Sequence, residues 1–274
     1  MDNYKSFLGL GVAGNFALHL KQAGELEEFK DVITEDENAP KGMFPFYLPN
    51  FKAPLGVYPL SSECIKLPQE DEKVQAEPEV GLICDIAYEQ GAIISITPRA
   101  FGAYNDCSIR KEGAKKISEK KNWGEATKGL SDTLIAIDRF SEGGVMDHYR
   151  IASFLRRDGN VFRYGEDVEL TGYSYFYEKL ITWMVNQLNA QVDFGPLEPI
   201  SRYMEQCGYP EKAVISIGAT RYTEYGKKTF LKSGDEVIVV VYDSKQYCTN
   251  PIFSKVVSNA LDAEGISALV QRVL

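Results

Sequence analysis

Glu77-Pro78-Glu79-Val80-Gly81-Leu82-Ile83-Cys84, then Ala92-Ile93-Ile94-Ser95-Ile96, then Asn105-Asp106-Cys107-Ser108-Ile109-Arg110, is the stretch on which the fold turns. The two apolar runs read as strands joined through Glu89-Gln90-Gly91. Residues two apart on a strand share a face, so Glu77 and Glu79 reach the same point in space. Pro78 gives up a ladder donor, which suits an edge or bulged position. Asp106 supplies a third carboxylate, and Arg110 and the Lys128-Gly129 pair follow in order. Three carboxylates without a His or Cys cluster suit Mg²⁺, or Mn²⁺ or Ca²⁺, better than zinc. An isolated Glu-x-Glu could simply end the acidic run Glu70-Asp71-Glu72; the ordered company of Asp106, Arg110 and Lys128 favours a metal site that takes an anionic, oxygen-rich small molecule.

Elsewhere, short strands and many turns outnumber helices. Ile151–Leu170 reads as a hairpin turning at Arg157-Asp158-Gly159-Asn160, and Ala213–Ile217 and Glu236–Tyr242 read as strands. Tyr177–Asn189 has helical spacing, with Leu180, Ile181, Met184 and Leu188 on one face. Pro98–Ala103 reads as a short helix. Pro40–Pro59, rich in proline and aromatics, reads as an extended wall, and Glu25–Glu37 as an exposed acidic stretch. The pattern is that of a β-rich α+β domain, not of alternating βαβ units.

Gly9-Leu10-Gly11-Val12-Ala13-Gly14 is a literal G-x-G-x-x-G before a helix carrying Phe16, Leu18, His19, Leu20 and Gln22. No second βα unit follows, so the glycines read as a tight turn over a site, not a dinucleotide cradle. A net charge of −9 gives no electrostatic support to nucleic-acid binding. Five scattered cysteines without a C-x-x-C pair, and the lack of a signal-like start or a roughly 20-residue apolar span, point to a cytoplasmic protein that does not engage a membrane.

Taken in order, these pieces resemble the fumarylacetoacetate hydrolase superfamily. Its Asn-aromatic-x-x-His-x-x-Glu element is similar to Asn15 through Gln22. Its Glu-x-Glu strand is similar to Glu77-Pro78-Glu79, its Asn-Asp-x-Ser-x-Arg to Asn105–Arg110, its lysine-glycine to Lys128-Gly129, and its Gly-Asp-Glu-Val strand start to Gly234–Val237. The resemblance implies a mixed β-sandwich roll with a few peripheral helices. It also implies one catalytic domain over 1–274, with 1–60 as lid and wall and 61–274 as the β-rich core, and a homodimer.

The resemblance further implies a metal-stabilised enolate in C–C cleavage of an acylpyruvate or related 2-oxo acid, or decarboxylation or keto–enol isomerisation on the same site. His19 would be the general base with Gln22 beside it, Lys128 would stabilise an oxyanion, and Arg110 would act as a guanidinium fork. Asn15, Thr220 and Trp123 would border the substrate. Departures mark a divergent branch. Gln22 stands where the family has a glutamate, Gly113 where it often has a glutamine, and Gly218-Ala219-Thr220 where it commonly has Gly-Thr-Pro. Gln191–Gly208 reads as an insertion. A binding protein that has lost turnover is the alternative from another class.

Overall fold

A computed structural model describes every residue except Met1, Glu35, Glu70 and Glu112. Glu35 and Glu70, parts of the two acidic runs, and Met1 of the N-terminal segment therefore lie outside the described residues. The fold is α+β, built on two mixed sheets. The larger has eight strands, ordered Gly42–Tyr47, Leu8–Ala13, Lys212–Ser216, Pro78–Glu89, Ala92–Asn105, Lys128–Leu130 and Leu60–Ser61, with Ile135–Ala136 pairing onto Ala92–Asn105. The smaller has five, ordered Asn160–Glu169, Tyr149–Arg157, Glu236–Asp243, Ile266–Val273 and Cys64–Ile65.

One apolar cluster fills the space between the sheets, drawing Val80, Leu82, Phe101 and Ala103 from the first and Ile151, Leu155, Val237, Val239, Val241 and Leu269 from the second. Alternation explains this choice, since Val237, Val239 and Val241 face inward. Ile238 and Val240 face the helix Thr249–Val257, which covers the outer side with Ile252 and Val256. The helix Tyr177–Ala190 packs on the first sheet through Leu180, Met184 and Leu188, spaced by four. Truncating such a fully buried leucine to alanine costs about 2–5 kcal/mol.

Three local readings change, and the stretch read as an insertion proves to be packed into the fold. Pro98–Ala103 is not a helix; it belongs to the strand Ala92–Asn105, and Pro98 is accommodated because the partner strand shifts register between Ile83 and Cys84. Pro78 is not on an edge: it opens a central strand, the other place where a missing ladder donor is tolerated. Gly9 and Gly11 are not in a turn but inside the strand Leu8–Ala13, where an added Cβ would come 2.3 Å from the Phe46 ring and 2.2 Å from the Phe44 ring. Gly14, at φ +76°, makes the turn. Finally, Gln191–Gly208 is woven in. It carries the helix Ile200–Gln206, and the Gln191 amide both accepts from the Met43 N–H and donates to the Met43 carbonyl, each at 2.8 Å.

Candidate active site

The buried ends of the two central strands build the site. The Asp106 N–H donates to the Glu77 carbonyl at 2.9 Å, and the Glu77 N–H donates to the Asn105 side chain at 3.1 Å. These bonds fix Asp106 beside the Glu77–Glu79 pair. Oxygens of Glu77, Glu79 and Asp106 all lie within 4.8 Å of one another, and all three side chains are buried. Such an all-oxygen anionic set fits a hard divalent cation. Neither Asp106 oxygen accepts a well-formed hydrogen bond from the protein; the carboxylate is held by lysine ion pairs alone.

Cations surround the carboxylates. Lys128, fully buried, lies 3.0 Å from Asp106 Oδ1 and donates to the Cys107 carbonyl. Arg110 Nη1 is 2.8 Å from both Glu77 Oε1 and Glu25 Oε1; Nε donates to Gln75 and Nη2 to the Tyr222 hydroxyl. Lys121 was not singled out by any sequence motif, yet its Nζ stands 2.6 Å from Glu77 Oε2 and 2.6 Å from Asp106 Oδ2. Burial pushes the Glu77 carboxyl up, but Lys121 and Arg110 outweigh it and hold Glu77 well below the usual range. Glu79 behaves oppositely. Burial, and the charge of Asp106, push its carboxyl up, against a 2.9 Å bond from the Gly218 N–H. Burial also lowers Lys128 despite Asp106.

His19 is 4% exposed, and its Nδ1 donates to the Thr220 carbonyl at 2.9 Å. A carbonyl can only accept, so the proton sits on Nδ1 and Nε2 is the basic nitrogen of the neutral ring. Burial keeps the imidazole pKa below its ordinary value, partly opposed by Glu77. The helix carrying His19 is only His19–Ala23; Phe16 and Leu18 precede it, with Leu18 at φ +71°. It closes at Gly24, φ +76°, with Gly24 N–H donating to Lys21 and Glu25 N–H to Leu20. This Schellman closure folds the chain back and drives Glu25 into the interior, where Arg110 and Lys120 each bind its Oε1 at 2.8 Å. Glu25 therefore lines the same small cavity as His19, Glu77, Glu79 and Lys121, a space of about 20 Å³. That is room for about one water or ion.

The remaining sequence candidates brace the site from outside this cavity. Gln22 straps the helix to Tyr222, accepting from its N–H at 2.8 Å. Thr220 turns its hydroxyl onto the Pro78 carbonyl and offers only its own carbonyl to His19. Asn15 is wholly buried and spends its amide on the backbone of Tyr175 and Ile217, bracing the turn at Gly218. Trp123 donates to the Lys66 carbonyl and lays its ring 5.6 Å from Lys128 Nζ, backing that lysine and lining a separate surface pocket. Gln271, from the second sheet, accepts from Asn105 at 2.9 Å and donates to the carbonyl of Lys128 at 3.3 Å. A Cβ at Gly129 would lie 2.3 Å from Gln271 Oε1, so the glycine after Lys128 is what admits this bracket. No spacing in the chain announces Gln271, Lys121 or Glu25.

The fold is that of the fumarylacetoacetate hydrolase superfamily. A 2-keto-3-deoxy-D-arabinonate dehydratase complexed with magnesium and 2,5-dioxopentanoate superposes with a TM-score of 0.50 at 14% identity, over 97% of this chain and 72% of the other. A Yersinia pestis CO92 protein assigned to the fumarylacetoacetate hydrolase family gives 0.53 at 12%, over 97% and 93%. The 5-carboxymethyl-2-hydroxymuconate delta-isomerase of Mycobacterium smegmatis gives 0.50 at 17%, over 97% and 78%. No curated protein matches the chain in sequence. No helix among the described residues is long and apolar enough to cross a membrane. Residues 25–273 match the family described as "Family of unknown function (DUF5718)", and the chain belongs to that family.

Proposed function

We propose that the chain is a divalent-metal-dependent enzyme that cleaves a C–C bond of an acylpyruvate or a related 2-oxo acid. The observation that carries this reading is one buried cluster in which three carboxylates are contacted by a lysine and an arginine, with a singly oriented histidine lining the cavity beside Glu77 and Glu79. Glu77, Glu79 and Asp106 would hold the ion, Mg²⁺ by preference, with Mn²⁺ or Ca²⁺ as substitutes. When bound, it would supply Lewis-acid stabilisation of enolate charge. His19 Nε2 takes a proton from water, and the resulting hydroxide adds to the acyl carbonyl carbon. The C–C bond breaks with its electron pair passing to the pyruvate enolate, which is reprotonated at carbon; pyruvate and a carboxylate leave. Glu25, lining the same cavity, stabilises the imidazolium that Gln22 has no charge to stabilise. Lys128 and Arg110 meet the anionic oxygens of the substrate. Asn15, Trp123 and Thr220 act on this scheme from behind, by holding Gly218, Lys128 and His19.

Decarboxylation or keto–enol isomerisation is the second reading, favoured by Gln22 at the lid because neither reaction needs an activated water. We place residues 1–60 as lid and wall of a single catalytic domain spanning 1–274, in a cytoplasmic homodimer. A product-resolved assay with Mg²⁺ or Mn²⁺ on acylpyruvates and oxaloacetate, with Glu79→Gln alongside, tests the reading. Pyruvate plus a carboxylic acid, formed only with metal and lost in the variant, is the expected result. Carbon dioxide from oxaloacetate alone would move the assignment to a decarboxylase. Binding of these acids without any product would leave a non-catalytic anion-binding protein.

A further inference from the structure

The ammonium of Lys121 sits between Glu77 and Asp106, and we propose that it is a tethered cation that competes with the divalent ion for these two carboxylates. This inference rests on the metal reading above and deepens it: the site regulates its own metal occupancy. Lys121 is 4% exposed and bonded at 2.6 Å to one oxygen of each carboxylate, so it uses up two of the anionic donors that an ion needs. Buried cations already stand against these carboxylates without metal: Arg110 and Lys121 on Glu77, Lys121 and Lys128 on Asp106, and Arg110 and Lys120 on Glu25. A dication added to this set with Lys121 in place would stand against an ammonium across a few ångströms of low-dielectric interior. The cavity beside it, about 20 Å³, has no room for both.

Lys121 is held by its ion pairs and not by a sheet. It sits just after the short turn Ile117–Lys120, outside any strand, with its Nζ 5.2 Å from the face of Phe44. Metal binding therefore exchanges one cation for another, and the lysine moves when the ion enters. Without metal, the lysine keeps Glu77 and Asp106 from standing as bare buried carboxylates, an arrangement that burial strongly disfavours.

The test is calorimetric titration of Mn²⁺ and Mg²⁺ into the parent chain, Lys121→Met and Lys212→Met. Removing the competitor should tighten metal binding by about tenfold or more, the ratio corresponding to about 1.4 kcal/mol. Lys212→Met removes an equal charge from the exposed Asp85 side of the sheet and should change affinity by less than about twofold. Equal affinity in the parent and a folded Lys121→Met, or equal tightening in both variants, overturns the competition while leaving the metal site intact. Absence of metal binding in every chain overturns the metal reading as well. If Lys121→Met does not fold, the NMR signal of the Lys121 ammonium in the parent decides. It should shift or vanish on adding Mn²⁺'s diamagnetic counterpart Mg²⁺, and an unmoved signal at saturating metal overturns the proposal.

Discussion

The strands Pro78–Glu89 and Ala92–Asn105 are flanked by two charged pairs, one far from the site at mid-strand and one at the near end, and the two lie in opposite surroundings. At mid-strand Arg99 meets Asp85 at 2.7 Å with 62% and 42% of the side chains exposed. At the near end Arg110 meets Glu77 at 2.8 Å with 11% and 3% exposed. The partners and the distance are almost the same; the solvent is not. Water screens the first pair and makes it worth about 0–1 kcal/mol. The second has lost its hydration and depends on Lys121, Arg110 and the surrounding bonds to stay charged. A carboxylate–guanidinium pair becomes a candidate for chemistry only where the fold has removed the water.

The largest way to break this contrast is Arg110→Met. It leaves Glu25 and Glu77 buried with less compensation and should cost about 3–5 kcal/mol in chemical denaturation; a loss under about 1 kcal/mol would mean that the near end is as well screened as the mid-strand pair. Glu79→Gln should follow, lowering metal-dependent turnover by about 100-fold or more while the chain stays folded, as read by steady-state assay and circular dichroism.

Glu198 sharpens the comparison, because it is buried with hydroxyl and amide contacts from Ser118 in place of a tight ion pair. Burial pushes its carboxyl up to about 7 against those contacts. The folded chain then binds this proton more tightly than the unfolded one, whose carboxyl sits near 4.5. Its stabilisation is full below that pH and is lost as pH rises to about 7. Glu198→Gln should therefore remove about 2 kcal/mol of the parent's decline in stability between pH 5 and 8, measured by urea titration. The smallest effect belongs to Arg99→Ala, expected within about 0.5 kcal/mol of the parent.

The near end was partly legible because its signals are local. A two-residue period places Glu77 and Glu79 together, and the Asn105–Arg110 and Lys128-Gly129 pairs stand in chain order. The superfamily fold followed from that order, not from any single piece. What escaped was set by distant contacts or by how an element stops. Glu25 reads as part of an exposed acidic stretch until the helix ends at Gly24 and turns it inward. Gln271 lies 166 residues from the asparagine that it binds. Lys121 is one of several lysines in a row, distinguished only by the carboxylates that the fold brings to it. Asn15 and Thr220 carry side chains that chemistry could use, but backbone groups claim them first.

Anomalous X-ray diffraction from crystals soaked in Mn²⁺ tests the central claim most directly. The prediction is one manganese peak bonded to oxygens of Glu77, Glu79 and Asp106, with Lys121 Nζ withdrawn from its 2.6 Å contacts. Crystals at saturating Mn²⁺ that show no peak among these carboxylates, and Lys121 still between Glu77 and Asp106, would contradict it.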